Sequence, residues 1–474
     1  MNPMLFAPEL ALLFGSLLLF FLSLSSGSGG RQARNMTLAI ALVAVVLTFA
    51  GFSQQGSLFY AVYKVDQFSQ LFKLLIGCGL VVVLLFGGEL KGVSDEVRPE
   101  YYLFLLLSTL GLVMLVSSVE LLTFFIALEL SSYSLYLLVP MRDDRTGVRS
   151  QMEAAIKYIL FGVVATGVML FGMSYLFGLT GTTYFSELLP KLHAMGGQPA
   201  AVVGIVMVMG GFFYKLGVFP FHFWVPDVYQ GSSNETTAFI ASVPKLGAVA
   251  MLIRITTLVA PHSVMVVNLL MGLAVASMFY GNLVALVQKD VKRMLGFSGI
   301  AHAGFVLLGL LTLQESGYAT SMYYIFGYVV MNLACFLVIC KVSGQGENVM
   351  IEDLSGLHKR APLLALTLGV GMFALAGIPP FVGFMGKFML LTGALQQGHL
   401  TLVILAALNT AIAIYYYLSV VRVAFCNDPE ERPLVPVDGV TGVVSIGLMV
   451  IIIAMGVAPA GVLSMATEAL RAIL

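Results

Sequence analysis

Apolar runs of about 20 residues recur along the whole chain, parted by short polar breaks, and runs of that length match membrane-spanning helices. The pattern predicts fourteen spans, at residues 4–25, 36–53, 68–90, 100–117, 120–140, 151–178, 201–222, 234–258, 264–287, 295–313, 319–342, 362–391, 401–425 and 438–464. The breaks hold the expected punctuation, with Gly27, Ser28, Gly29 and Gly30 after the first span and Pro429 and Pro433 after the thirteenth. No break is long enough for a separate soluble domain. Met1 to Leu5 carries no Lys or Arg ahead of the first run, so that run reads as a retained span rather than a cleaved signal peptide. The expected fold is all-α and polytopic.

Composition agrees. Hydrophobic residues make up 59% of the 474 and charged residues only 10%, against roughly 25% charged in a soluble globular domain. The net charge is zero, which leaves no basic footprint for nucleic acid. Cys78, Cys335, Cys340 and Cys426 form no C-x-x-C pair and read as small buried hydrophobes.

Lys and Arg set the orientation. With the N-terminus outside, alternate loops hold Arg31, Arg34, Lys91, Arg98, Arg142, Arg145, Arg149, Lys289, Lys292, Arg293, Lys341, Lys359, Arg360, Arg422 and Arg432. The other loops and the tail hold only Lys64, Lys191 and Arg471, while Lys73 and Arg254 stand near the outer ends of spans, where they could snorkel. The reading is a multi-pass membrane protein with both termini on the outer side.

Four lysines fit no loop. Lys157, Lys215, Lys245 and Lys387 lie inside apolar runs, as does Glu129. Each such charge costs about 2.5–3.5 kcal/mol at mid-membrane by insertion scales. One buried lysine is as often an ion-pair strut as anything else; four over spans six, seven, eight and twelve, outnumbering the buried carboxylates, point to a proton or cation path. Low dielectric favours the neutral amine and a nearby carboxylate favours the ammonium, so lysine switches state as a partner comes and goes. His222 and His302 add imidazoles of the right range, although the small neighbours of His302 also suit a packing role. Glu153, four residues before Lys157, makes either a local ion pair or the mouth of the path. Glu9 and Glu120 read as interfacial, and His193, His262, His358 and His399 as ordinary loop or span-end residues.

Spans seven and twelve are rich in breakers, from Gly210 to Pro220 and from Gly377 to Lys387, and each carries one buried lysine. Unwound backbone at membrane depth is tolerated only where it lines a cavity or lies within protein. The two are five spans apart, so an odd-numbered repeat would enter its second copy from the opposite face. This divides the chain into residues 1–99 (three spans), 100–258 and 259–426 (two inverted five-helix repeats, each a half-channel) and 427–474 (the last span).

Four stretches carry a resemblance: Ala127 to Tyr136; Lys215 to Gln230, with Phe-Pro-Phe-His-Phe-Trp-Val-Pro-Asp at 219–227; Lys289 to Gly304; and Gly377 to Phe388. They resemble the antiporter-like subunits of respiratory complex I, the NADH–quinone oxidoreductase, over roughly residues 100–425. Ala-Leu-Glu-Leu at 127–130 and Gly-Phe-Met-Gly-Lys at 383–387 are closest to subunit N. Lys387 argues against subunit M, and a chain ending soon after its fourteenth span argues against subunit L. The resemblance implies that Glu129 and Lys215 pair in the first half-channel, that Lys245 links the halves, that Lys387 serves the second, and that Lys157 is a further family lysine. It implies partners in the other membrane subunits and the lipid bilayer, with quinone bound elsewhere. No iron–sulfur thiolate set or dinucleotide fingerprint is present, so no cofactor and no redox chemistry is expected in this chain. The rival readings are a subunit of a multi-subunit cation/proton antiporter, the membrane arm of a related hydrogenase or dehydrogenase, and a purely structural anchor.

Overall fold

The computed structural model describes residues 3–24, 30–88, 90–143, 149–195, 198–260, 263–429 and 432–473. Gly27, Ser28, Gly29, Arg145 and His262 lie outside the described residues.

The chain is a bundle of helices. Its first half comprises α1 (Ala7–Ser23), α2 (Gly30–Ala50), α3 (Gln67–Gly87), α4 (Arg98–Ser117), α5 (Leu121–Leu138), α6 (Ser150–Thr180), α7 (Phe185–Ala194), α8 (Pro199–Leu216), α9 (Trp224–Gly231) and α10 (Asn234–Thr256). The second comprises α11 (Val264–Ala285), α12 (Val291–Leu310), α13 (Glu315–Val342), α14 (Leu357–Arg360), α15 (Pro362–Ala376), α16 (Val382–Gln396), α17 (Leu400–Cys426), α18 (Gly439–Val457) and α19 (Pro459–Leu470). Thirteen helices among the described residues are long and apolar enough to cross a membrane. The twelfth expected span is there as two 15-residue pieces, α15 and α16. A small hairpin, β1 (Gly56–Leu58) against antiparallel β2 (Tyr63–Val65), and the short helices α7, α9 and α14 have no counterpart in the hydropathy pattern.

Burial separates an axis from a rim. Every residue of α10 is buried, and α12 and α13 are nearly so. The rim helices expose their apolar faces, with Leu160, Val164 and Phe171 on α6 and Val443, Ile446 and Val450 on α18. Water would not tolerate such a surface, whereas lipid tails solvate it, and the helical backbone satisfies its own polar groups. Cys335 and Cys340 are buried, but Cys78 and Cys426 lie at the surface, and all four are free thiols.

Both expected breaks are present, with matching geometry. α8 ends at Gly217 (φ +84°) and α15 at Gly377 (φ +85°), left-handed positions that a residue with a β-carbon resists. Each is followed at the same spacing by a cis X-Pro bond, Phe219–Pro220 and Pro379–Pro380. Breaking a helix frees carbonyls that lipid cannot satisfy. At the first break the Trp224 indole donates to the Tyr214 carbonyl at 2.9 Å. At the second, the Lys387 ammonium donates to the Leu375 and Ala376 carbonyls at 3.0 and 3.1 Å.

Four charges expected at the interface, Glu9, Lys73, Glu120 and Arg254, are in fact buried. Lys73 Nζ lies 2.7 Å from Glu9 Oε1, the two side chains being 1% and 0% exposed, and the Tyr63 hydroxyl donates to the same carboxylate at 2.5 Å. Arg254 Nη2 holds both oxygens of Asp66, at 3.2 and 3.1 Å. The hairpin folds over this end and excludes water, so pairing replaces snorkelling; removing one member of such a pair typically costs about 3–5 kcal/mol. Glu120 is the N-cap of α5, accepting from the Thr123 backbone N–H at 2.7 Å.

Candidate functional site

α5 carries the first polar group at depth. The Glu129 carboxylate is half-buried and accepts from Thr166 Oγ1 on α6 at 2.8 Å. Lys215, on the last turn of α8, is 5% exposed and donates to the hydroxyls of Ser131 and Ser132 at 3.0 and 3.1 Å. No ion pair within 4.0 Å joins it to Glu129. The Glu129 carboxylate turns to Thr166, and the two serine hydroxyls take up the ammonium instead. Ser131 continues to Ser108 on α4 at 3.2 Å, so the lysine sits at the head of a chain of hydroxyls.

α12 organises the rest. A β-carbon at Gly299 would stand 2.9 Å from both Lys245 Nζ and the Tyr328 hydroxyl, so this glycine lets α12 lie against them. Lys245 donates to Tyr328 at 2.9 Å. One turn further along, His302 joins Tyr324 through Nδ1 at 2.6 Å and Tyr417 through Nε2 at 3.0 Å. Another turn on, the Phe305 ring lies 5.1 Å beneath Lys387 Nζ, within cation–π range. Gly299, His302 and Phe305 follow at three-residue steps and share one face. That face carries a line of titratable groups, Lys245, His302 and Lys387, the first two hydrogen-bonded to tyrosines.

Lys157 is placed differently. It is 38% exposed and pairs with Glu153 and with Asp227, each at 2.7 Å, while Arg293 holds the other Asp227 oxygen at 2.7 Å. It belongs to a charged cluster at the rim, near the end marked by the basic loops. With the two breaks aligned on their glycines and prolines, Lys387 falls at the register of Asp227, and Lys215 at that of Leu375. The two lysines therefore sit on opposite arms of their breaks, on α8 and on α16. Both ring nitrogens of His222 are buried with no partner, in the first break, among Phe219, Phe223 and Tyr280.

A family model described as NADH:quinone oxidoreductase/Mrp antiporter, TM, matches residues 118–413. NADH-quinone oxidoreductase subunit N 2 of Opitutus terrae is 52% identical over 99% of this chain and 98% of its own length. The chain belongs to the NADH:quinone oxidoreductase/Mrp antiporter family. A second family member, subunit N 2 of Syntrophobacter fumaroxidans, is 41% identical over the full length of both. In the solved respiratory complex I of Thermus thermophilus with bound aureothin, a chain of 31% identity superposes with a TM-score of 0.84, covering 97% of this chain and 99% of that one. The Mrp complex of Dietzia shares the fold, at a TM-score of 0.86 and 20% identity.

The family's polar axis in this chain includes groups that hydropathy reading passes over. Tyr328 holds Lys245, Tyr324 and Tyr417 hold His302, and Thr166, Ser131 and Ser132 hold Glu129 and Lys215. Tyrosines at i and i+4 in the otherwise apolar span 319–342 were the available signal, since a buried hydroxyl needs a partner. Asp227 and Arg293 fall inside the quoted motifs; only the fold brings them to Lys157.

Proposed function

We propose that this chain is the proton-conducting subunit N of an NADH–quinone oxidoreductase, held in the inner membrane against other membrane subunits of the complex, with electron transfer and quinone in those partners and no cofactor of its own. The observation that carries the reading is the buried line Lys245–Tyr328, His302–Tyr324/Tyr417 and Lys387, laid along one face of α12. Lysine, imidazole and phenol each accept and release protons, and in a membrane interior such groups mark ion and proton paths. Residues 100–258 and 259–426 act as two inverted half-channels joined at Lys245, which the paired breaks support. The antiporter reading shares the fold; subunit N relatives matched end to end favour the redox-linked one.

Protons would pass from cytoplasm to periplasm, the basic loops marking the cytoplasmic side. A reporter active only in the cytoplasm, fused after Leu474, should be silent; activity there would overturn the orientation. In inverted membrane vesicles, Lys245→Ala should leave the complex assembled but strongly reduce lumen acidification per NADH oxidised. Parental acidification by an assembled Lys245→Ala complex would remove the central link.

A further inference from the structure

α10 carries more polar chemistry than Lys245. Asn234, Glu235, Ser242 and Lys245 fall within about 100° of arc on this helix, at 100° per residue. All four are at most 4% exposed. Among the described residues, Asn234 Oδ1, Glu235 Oε2 and Ser242 Oγ have no hydrogen-bond partner, and neither does the Tyr229 hydroxyl. That hydroxyl lies 4.0 Å from where a Gly299 β-carbon would stand, beside Lys245 Nζ. α13 runs antiparallel against α10. Ser242 lies one turn before Lys245 on α10, and the buried Asn332, one turn after Tyr328 on α13, donates to the Tyr328 carbonyl at 3.0 Å. Buried polar atoms without partners are rare, and in line they are what a file of water satisfies.

The line ends under a cavity. On the side of the basic loops, a cavity of about 680 Å³ is lined by Gly92, Arg142, Gln151, Gly346, Glu347 and Asn348. The start of α10 lies behind two of these lining residues. A β-carbon at Gly92 would meet Ser233 Cβ at 3.5 Å, and Asn234 Nδ2 donates to the Glu347 carbonyl at 3.2 Å. Arg142 is tied to carbonyls of Gln230, Gly231 and Gly346. Burial raises the Glu347 carboxyl, but backbone N–H groups, those of Gln345 and Gly344 among them, outweigh it and hold the group below the usual carboxylate value. The cavity therefore presents a charged carboxylate at its wall.

We propose that the cavity, Asn234, Glu235 and Ser242 form a cytoplasmic proton inlet that feeds Lys245 directly, with Glu235 as its buried proton acceptor. This rests on the reading of Lys245 as a relay group and deepens it. The inlet enters at the junction of the two halves, apart from Glu129 and Lys215. The competing account makes Glu235 a strut for the buried Lys292, whose Nζ donates to the Ser232 carbonyl at 2.8 Å. A strut needs neither a cavity above it nor unpartnered hydroxyls behind it.

The test uses the whole complex in inverted vesicles. Glu235→Gln should lower lumen acidification per NADH oxidised several-fold at unchanged assembly, and Glu235→Asp should keep most of it. Ser242→Cys should react with a small water-soluble methanethiosulfonate added from the cytoplasmic side, as Asn348→Cys at the cavity wall does. Labelling is read by mass spectrometry of this chain's own peptides, against the parent with its four native cysteines. Parental acidification by Glu235→Gln overturns the proposal, and so does an unreactive Ser242→Cys beside a reactive Asn348→Cys. Should Glu235→Gln not assemble, the labelling decides. Lys245→Ala separates the two levels. Normal acidification there removes the relay and the inlet together; lost acidification with a dry Ser242→Cys removes the inlet alone.

Discussion

Glu129→Ala and Lys215→Ala should each leave the complex assembled and suppress most of its proton pumping. The two groups are not in contact. The carboxylate is held by Thr166 and the ammonium by Ser131 and Ser132. At low dielectric their attraction still acts beyond contact distance, because little water screens it. Removing the carboxylate takes away the charge that favours the ammonium, and Lys215 then stays neutral through the cycle. Removing the lysine takes away the carrier itself. The serines add a second handle: Ser131→Ala with Ser132→Ala leaves both charges in place but deprives Nζ of its hydrogen-bond acceptors, and should impair pumping less than either charge removal. Glu129→Asp keeps the charge with a shorter reach and should retain part of the activity. The measurement is lumen acidification per NADH oxidised in inverted vesicles, with assembly checked on the purified complex. Parental acidification by assembled Glu129→Ala and Lys215→Ala complexes would remove the first half-channel from the mechanism.

The membrane spans were legible because lipid imposes a length and a composition that can be counted. The breaks at Gly217 and Gly377 were legible because Gly and Pro act locally. What hydropathy could not convey is which polar residue meets which. Glu9 and Lys73 are 64 positions apart, each near the end of a span, and taken alone each reads as an interfacial charge. Only the hairpin closing over α1 and α3 makes them a dry pair. Lys157 errs the other way. Its flanks are apolar because α6 is 31 residues long and faces lipid, yet its own position is at the rim, between Glu153 and Asp227.

The matched lysines of spans seven and twelve show the same limit. Counting one lysine per broken helix makes them equivalents; register puts them on opposite arms. In the first half the second-arm position belongs to Asp227, an acid paired with two cations at the rim. In the second half it belongs to Lys387, a cation held by carbonyls. The halves thus share a backbone device and fill it with opposite charges.

That difference makes Lys387 the sharper test of the second half-channel. Its ammonium is 4% exposed, rests on the Leu375 and Ala376 carbonyls and lies over Phe305. Among the described residues no carboxylate comes within ion-pair distance of it. The C-terminus of α15 supplies the compensating negative field, equivalent to about half an elementary charge. A dipole of that size stabilises the ammonium without locking it, as a contact carboxylate would, so the proton can leave and the neutral amine can stay where it is. Lys387→Met fills the same volume with no proton to give, and acidification should fall to about a hundredth of the parental rate, the low end of what losing an acid–base group removes. Lys387→Arg should also fail, since guanidinium caps the carbonyls but does not deprotonate at physiological pH. The pair of variants separates capping from proton transfer. If capping the α15 carbonyls were the whole role, Lys387→Arg would restore acidification that Lys387→Met loses, and that outcome would turn the second half-channel into a structural element.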